Sequence, residues 1–195
     1  MARDHSRWYL RAWGDPEWRA LHPMSQWLYR LIVDHETLSY AGVADWRPNR
    51  LCRLASPVTA DEIEIVAADL EERLYLLIDR DTEEVLVRSF VRNDRILYQP
   101  NVSQAMVKAW DGIASEALRG VLVHELRRLK KDQRDAKSWS DKFAGPMLAR
   151  MLDAPDVDPT EALSLLPVNP SVNPSVNPSG NPSGNPSINP SVKAS

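Results

Sequence analysis

The chain has 195 residues, 43% hydrophobic and 26% charged, with 24 Lys and Arg against 27 Asp and Glu for a formal net charge of −3. That is the make-up of an ordinary globular protein; its single cysteine, Cys52, excludes an intrachain disulfide and a cysteine-built zinc site. No apolar run approaches the roughly 18 residues of a membrane span, and no signal peptide precedes the first helix, so the expected location is cytoplasmic.

Asp15 before Pro16 reads as the cap of a first helix with Trp18 and Leu21 on its apolar side. Residues 8–13, just upstream, read as a strand or an extended arm. A second helix starts near Pro23 and carries Met24, Trp27, Leu28, Leu31 and Ile32 along one stripe. Ala41-Gly42-Val43-Ala44 suggests a short strand. Residues 47–55 then form a short helix with Leu51, Leu54 and Ala55 inward, broken by Ser56-Pro57-Val58. Thr59 and Glu62 make a capping box, and Ile63, Val66, Ala67, Leu70 and Leu74 follow at helical intervals. Residues 75–78 and 84–91 are rich in aliphatic residues and predict a hairpin closed by the polar turn 80–83. Beyond it, Asn101 is the expected cap of a helix with Val102, Ala105, Met106 and Ala109 inward. Ser115 is the expected cap of a longer one carrying Leu118, Val121, Leu122, Leu126 and Leu129.

Two short helices in succession and then a hairpin predict a winged helix-turn-helix. The expected class is α+β, mostly α, with additional C-terminal helices and a disordered tail. Residues 1–135 form the expected domain, 136–167 a linker with room for a short helix, and 168–195 the tail. Between 168 and 191 the pattern x-Asn-Pro-Ser repeats six times, and such a segment holds too little apolar surface to build a core.

Charge is unevenly divided. Residues 61–84 hold 2 basic against 10 acidic residues, and 85–137 hold 11 against 6. The second helix of the pair, with Asp61, Glu62, Glu64, Asp69, Glu71 and Glu72, would be repelled by phosphates, and so would the hairpin tip with Asp79, Asp81, Glu83 and Glu84. Basic groups lie on either side. Arg47, Arg50 and Arg53 share one helical face by their spacing; Arg88, Arg92 and Arg95 follow the hairpin; Arg127, Arg128, Lys130, Lys131 and Arg134 close the last helix. These are the candidate contacts to a duplex, with Asn93, Gln99 and Asn101 as polar supplements. The competing reading of each is a solvating side chain or a complement to a helix dipole.

Enzymatic chemistry finds no support. His124-Glu125 lacks a second histidine at zincin spacing, no glycine-rich phosphate loop is present, and His5, His22 and His35 suggest no triad. No catalytic residue, metal or cofactor is expected.

The string Leu86-Val87-Arg88-Ser89-Phe90-Val91-Arg92-Asn93-Asp94, followed by Gln99-Pro100-Asn101-Val102, resembles a segment of winged-helix proteins of actinobacterial phages and prophages. Trp18, Leu21, Gln26, Tyr29 and Leu31, then Ala41-Gly42-Val43, are similar to the same proteins, as is the Asn-Pro-Ser tail. The likeness covers about residues 8–130 and the tail. It implies helix-turn-helix DNA binding and an organisation like the N-terminal module of phage replisome organisers and DnaD-like replication initiators. Double-stranded DNA and a helicase or its loader are the partners this implies, with no catalytic residue to carry over. The acidic second helix departs from a standard major-groove reader. A transcriptional regulator and a protein adaptor using the acidic helix are the alternatives, and a homodimer is compatible with each. Ala162-Leu163-Ser164-Leu165-Leu166 looks like the pentapeptide that binds the sliding clamp, without its leading glutamine and terminal aromatic. Leu163, Ser164, Leu165 and Leu166 are accordingly expected to contact protein from a flexible segment.

Overall fold

Short polar side chains and prolines set where the first helices begin. The computed structural model describes residues 10–167, the Arg11 side chain excepted, and the Asn-Pro-Ser repeats lie outside the described residues. Helix α1 (Pro16–Arg19) starts where Asp15 Oδ1 accepts from the Glu17 N–H at 2.9 Å. Helix α2 (Pro23–Asp34) has proline at its first position and the His22 ring nitrogen accepting from the Met24 N–H, a cap the sequence reading missed. Leu28 and Ile32 of α2 are fully buried, each stabilising by about 1.5–3 kcal/mol. Of the segment 8–13, the described part is neither strand nor arm: Leu10–Gly14 forms a 3₁₀ turn.

Strand β1 (Val43–Asp45) follows Gly42, whose φ of 80° and close approach to Phe90, 2.8 Å from where a Cβ would sit, explain the glycine. Helix α3 (Pro48–Leu51) passes into a 3₁₀ turn at Cys52–Leu54. That change of period rotates Leu54 outward, 60% exposed, and leaves Ala55 half-buried, where a continuous helix had put both inside. Helix α4 (Ala60–Glu72) has the expected capping box in both directions and buries Ile63, Ala67 and Leu70.

Strands β2 (Leu76–Asp79) and β3 (Glu84–Val87) form the hairpin, and the antiparallel sheet runs β1-β3-β2. Val85 stands opposite both Ala44 and Ile78. Every residue of β2 is buried, because α4 and later helices enclose it. The strand expected to reach residue 91 stops at Val87. There the Val87 N–H donates to the Gly42 carbonyl, β1 offers no further partner, and the chain turns into helix α5 (Phe90–Asn93).

Helix α6 (Pro100–Asp111) begins one residue before the expected cap. Proline takes the first position, Gln99 stands before it, and Asn101 lies exposed in the first turn. Its inward face is Ser103, Met106, Val107 and Trp110, with Ala105 and Ala109 half-buried. Helix α7 (Glu116–Asp132) is capped by Ser115 as expected, the Leu118 N–H donating to Oγ at 3.2 Å, and buries Leu118, Val121, Leu122, Leu126 and Leu129.

The domain does not end at 135. Helices α8 (Ala144–Leu152) and α9 (Pro159–Leu165) pack against α6 and α7 and bury Ala144, Leu148, Met151, Ala162 and Leu166. Gly120 of α7 is required at this contact, since a Cβ there would lie 2.5 Å from Val157 Cγ2. Residues 136–167 are thus folded onto the domain rather than forming a linker. The reason is apolar periodicity: Ala144, Leu148 and Met151 lie on one helical face, and short turns stood between them and the helices they cover. The 162–166 segment is corrected with them. It is helix and helix end, with Ala162 and Leu166 inward, Leu163 half-buried, and Ser164 and Leu165 exposed. The architecture is mostly helical around a small three-stranded antiparallel sheet, and no helix among the described residues is long and apolar enough to cross a membrane.

Candidate nucleic-acid interface

Most of the acidic block is used inside the fold. Glu64 and Glu71 of α4 both bind Arg80 of the hairpin turn, at 2.9 and 2.8 Å, with all three side chains at most 16% exposed. Burial alone would lower the Arg80 guanidinium; hydrogen bonds and charge from Glu71 and Glu64 outweigh it and leave its pKa raised. Arg80 also donates to the Pro167 carbonyl, tying the end of α9 to this side. Asp69 accepts from Ser25 at 2.6 Å and from Arg73 at 2.8 Å. Asp79 closes the hairpin by accepting from the Asp81 and Thr82 N–H groups. Glu84 accepts from the Ala114 and Ser115 N–H groups and so holds the start of α7 against the hairpin. Only Asp61, Glu72 and Asp81 of the block make no side-chain hydrogen bond or ion pair among the described residues, apart from the cap made by Glu62 and the pair made by Glu83. Beside Asp61 and Glu72, α4 also exposes Ile65 at 41%.

The basic residues given as candidate duplex contacts fall into separate groups. Arg47 is paired with Glu83 at 3.0 Å and lies near Asp45, at the hairpin-tip end of the sheet; Arg50 and Arg53 are exposed beside it. Arg88 leaves the opposite end of β3. Arg127 is fastened to Asp156 and to the Leu152 and Ala154 carbonyls, holding the end of α8, and is a structural clasp rather than a free contact. Lys130, Lys131 and Arg134 are exposed at and just past the end of α7, with Arg134 donating to the Lys131 carbonyl.

What the fold does bring together is Arg88, Arg92 and Arg128 around one carboxylate. Glu125 of α7, 6% exposed, binds Arg88 at 3.0 Å and Arg128 at 3.6 Å. Arg88 also donates to the Leu74 carbonyl, and Arg128 lies 3.9 Å from Asp132. Arg92 is half-buried and makes no hydrogen bond or ion pair among the described residues. Burial, then the Arg128 charge, lower its pKa; Glu125 opposes them and Arg88 adds to them. Two carboxylates, the buried Glu125 and the more exposed Asp132, therefore stand against three guanidinium groups.

Arg88 and Arg92 line a cleft of about 900 Å³ whose walls include Arg73, Arg95, Tyr29, Tyr75, Tyr98 and Gln133. The Arg95 guanidinium lies 4.4 Å over the Tyr98 ring, and the Tyr98 hydroxyl donates to Asp135. Arg95 itself has a left-handed backbone, φ 53°, at the turn from α5 into the 3₁₀ segment Ile96–Tyr98. Trp18, Tyr29 and Tyr75 pack edge to face, their ring centroids 5.3 to 6.0 Å apart. The Tyr29 hydroxyl shares a hydrogen bond with Ser89, and burial raises its pKa against the lowering effect of that bond and of Arg92. Charge counting found Arg88, Arg92 and Arg128 but missed the cleft. Its remaining walls come from α1, α2, the turn between α4 and β2, the segment after α5 and the residue after α7, far apart in sequence, and no local spacing signals them. No protein-family model matches this chain, and neither a curated protein nor a solved structure matches it.

Proposed function

We propose that the chain is a winged-helix DNA-binding protein that presents the Arg92 side of the molecule, rather than α4, to phosphates. The winged-helix part of this reading is supported by the order α2, β1, α3, α4, β2, β3 and by the central place of β3 in the sheet. The observation that carries the binding surface is the gathering of Arg88, Arg92 and Arg128 at Glu125, with Asp132 as the second carboxylate and Arg92 left unpaired among the described residues. An unbalanced, half-buried cation is costly unless an anion reaches it, and displaced counterions favour nucleic acid as that anion. The likeness of Leu86 to Asp94 to phage and prophage proteins supports a part in replication initiation or replisome organisation, with transcriptional regulation as the nearest alternative.

Titrating labelled DNA with the full chain by fluorescence anisotropy tests the reading. Affinity should fall steeply between about 50 and 200 mM salt, and Arg92→Glu with Arg95→Glu should abolish most of it while Arg50→Glu with Arg53→Glu has a smaller effect. Binding that ignores salt and both pairs of changes defeats the proposal. An adaptor role is favoured by one observation, the exposed Ile65 ringed by acidic side chains on α4; DNA binding lost on Ile65→Lys would redirect attention to that face.

A further inference from the structure

The cleft has two chemically different ends. Around Tyr29 the charges are those of Arg92, Arg30 and Arg88. Around Tyr75, after burial, they are first those of Asp15 and Glu17, and together they raise its phenol. The two rings stand 5.8 Å apart between these ends. Resting on the DNA reading above, we propose that the cleft receives one unpaired nucleotide of a single strand, its phosphate at Arg92 and Arg95 and its base beside Tyr75 with the amino edge toward Asp15 and Glu17.

Size, charge and ring placement agree on this class of ligand. About 900 Å³ falls within the range of small-ligand sites, roughly 300–1,000 Å³. It admits a nucleotide, whereas a paired base reaches such a cleft only by flipping out of its stack. Proteins that hold single strands combine a cationic groove with aromatic faces; here Arg92 supplies an unpaired guanidinium among the described residues, and Tyr75 and Tyr98 supply half-buried rings. At the far end Arg73 is already paired with Asp69, and Asp15 and Glu17 disfavour a second phosphate, so the base rather than the backbone enters there. A base also brings donors. Gln133 in the cleft wall has its Oε1 buried with no donor among the described residues, and Asp15 and Glu17 accept from an amino group.

The test compares a labelled oligodeoxynucleotide of about 12 bases alone and annealed to its complement, with a 2-aminopurine at its centre to report stacking. The single strand should bind at least about tenfold more tightly than the duplex, with 2-aminopurine emission quenched, and Tyr75→Leu should weaken the single-strand arm by about tenfold or more. Where Tyr75→Leu fails to fold, Glu17→Arg is the second variant: by filling the far end with a cation it should remove the quenching and leave salt-dependent attachment. Equal or tighter duplex binding overturns the single-strand proposal while the DNA reading stands. No binding to either form overturns both. Displacement of the oligonucleotide by a free nucleoside monophosphate at equal base concentration also overturns it, since the cleft would then be a small-molecule site.

Discussion

Two charge clusters at opposite ends of the hairpin are built on contrasting stoichiometries. Near the hairpin turn, one arginine, Arg80, lies between two carboxylates, Glu64 and Glu71, with a further hydrogen bond to the Pro167 carbonyl. At the other, the carboxylate of Glu125 lies among three arginines, of which Arg88 and Arg92 line the cleft. The first cluster has each of its groups paired and joins α4, the hairpin and the chain after α9; it works as a fastening. The second ties the end of β3 to α7 through Arg88 and Glu125 but leaves Arg92, which lines the cleft, unpaired among the described residues. Net charge by segment does not distinguish them, because what matters is which charges the fold has already matched. The more acidic stretch is the more neutralised, and the smaller basic excess is the more available.

The largest expected effect comes from removing what covers the fastened side. Truncation after residue 135 deletes the buried side chains of Leu148, Met151, Ala162 and Leu166 and the carbonyl bound by Arg80. At about 1.5–3 kcal/mol for each larger side chain, the loss is comparable with the whole stability of a domain, about 5–15 kcal/mol. The truncated chain should lose its cooperative urea transition. Retention of that transition at an unchanged midpoint would restore 136–167 to a linker.

Next in size is Arg80→Ala. Taking one partner from a buried charge network strands the others, at a cost of about 3–5 kcal/mol. The urea midpoint should fall accordingly, with DNA affinity of the remaining folded protein unaltered. A loss of affinity with no loss of stability would mean the two clusters have been assigned the wrong way round.

These two changes also mark where sequence reasoning succeeded and failed. Caps at Asp15, Thr59 and Ser115 were legible because each is a local hydrogen bond between residues two or three apart. The α4 and hairpin elements were legible because their periods are distinct. Leu54 was misplaced because one helical turn passed into 3₁₀ geometry, which spacing alone does not reveal. The pairing of the acidic block was not legible because its partners are distant: Arg80 is 16 residues from Glu64, and the amides bound by Glu84 lie 30 and 31 residues on. Arg88 to Glu125 spans 37 residues. Local charge patterns locate the ions; only the fold decides which of them are spent on each other.

Arg92→Met gives the opposite signature to Arg80→Ala. Removing a half-buried cation that has two like charges beside it should leave stability unchanged or raise it by up to about 1 kcal/mol. DNA affinity should fall by about tenfold, equivalent to about 1.4 kcal/mol. A drop in the urea midpoint without any change in anisotropy would make Arg92 a structural residue and remove the contrast between the clusters.

The smallest effect concerns the carboxylates that serve neither cluster. Asp158 caps α9, and its pKa is held below the ordinary value of 3.8, chiefly by the hydrogen bond from the Thr160 N–H, with the nearby His124 ring acting in the same direction. A carboxylate with a folded-state pKa below its unfolded value contributes stability that is fully present above the unfolded value and is lost as pH falls through the folded one. The same holds for Asp141, held low by the Ala144 and Phe143 N–H groups ahead of α8. Stability should therefore decline from about pH 4 downward, and Asp158→Ala should flatten that decline, leaving parent and variant closer together at low pH than at neutrality. Urea midpoints collected across that range would show it. Because Asp158 starts the helix that ends at the carbonyl bound by Arg80, the loss should appear first as exposure of Leu166 and weakening of the fastened side, with the arginine-rich cleft still intact.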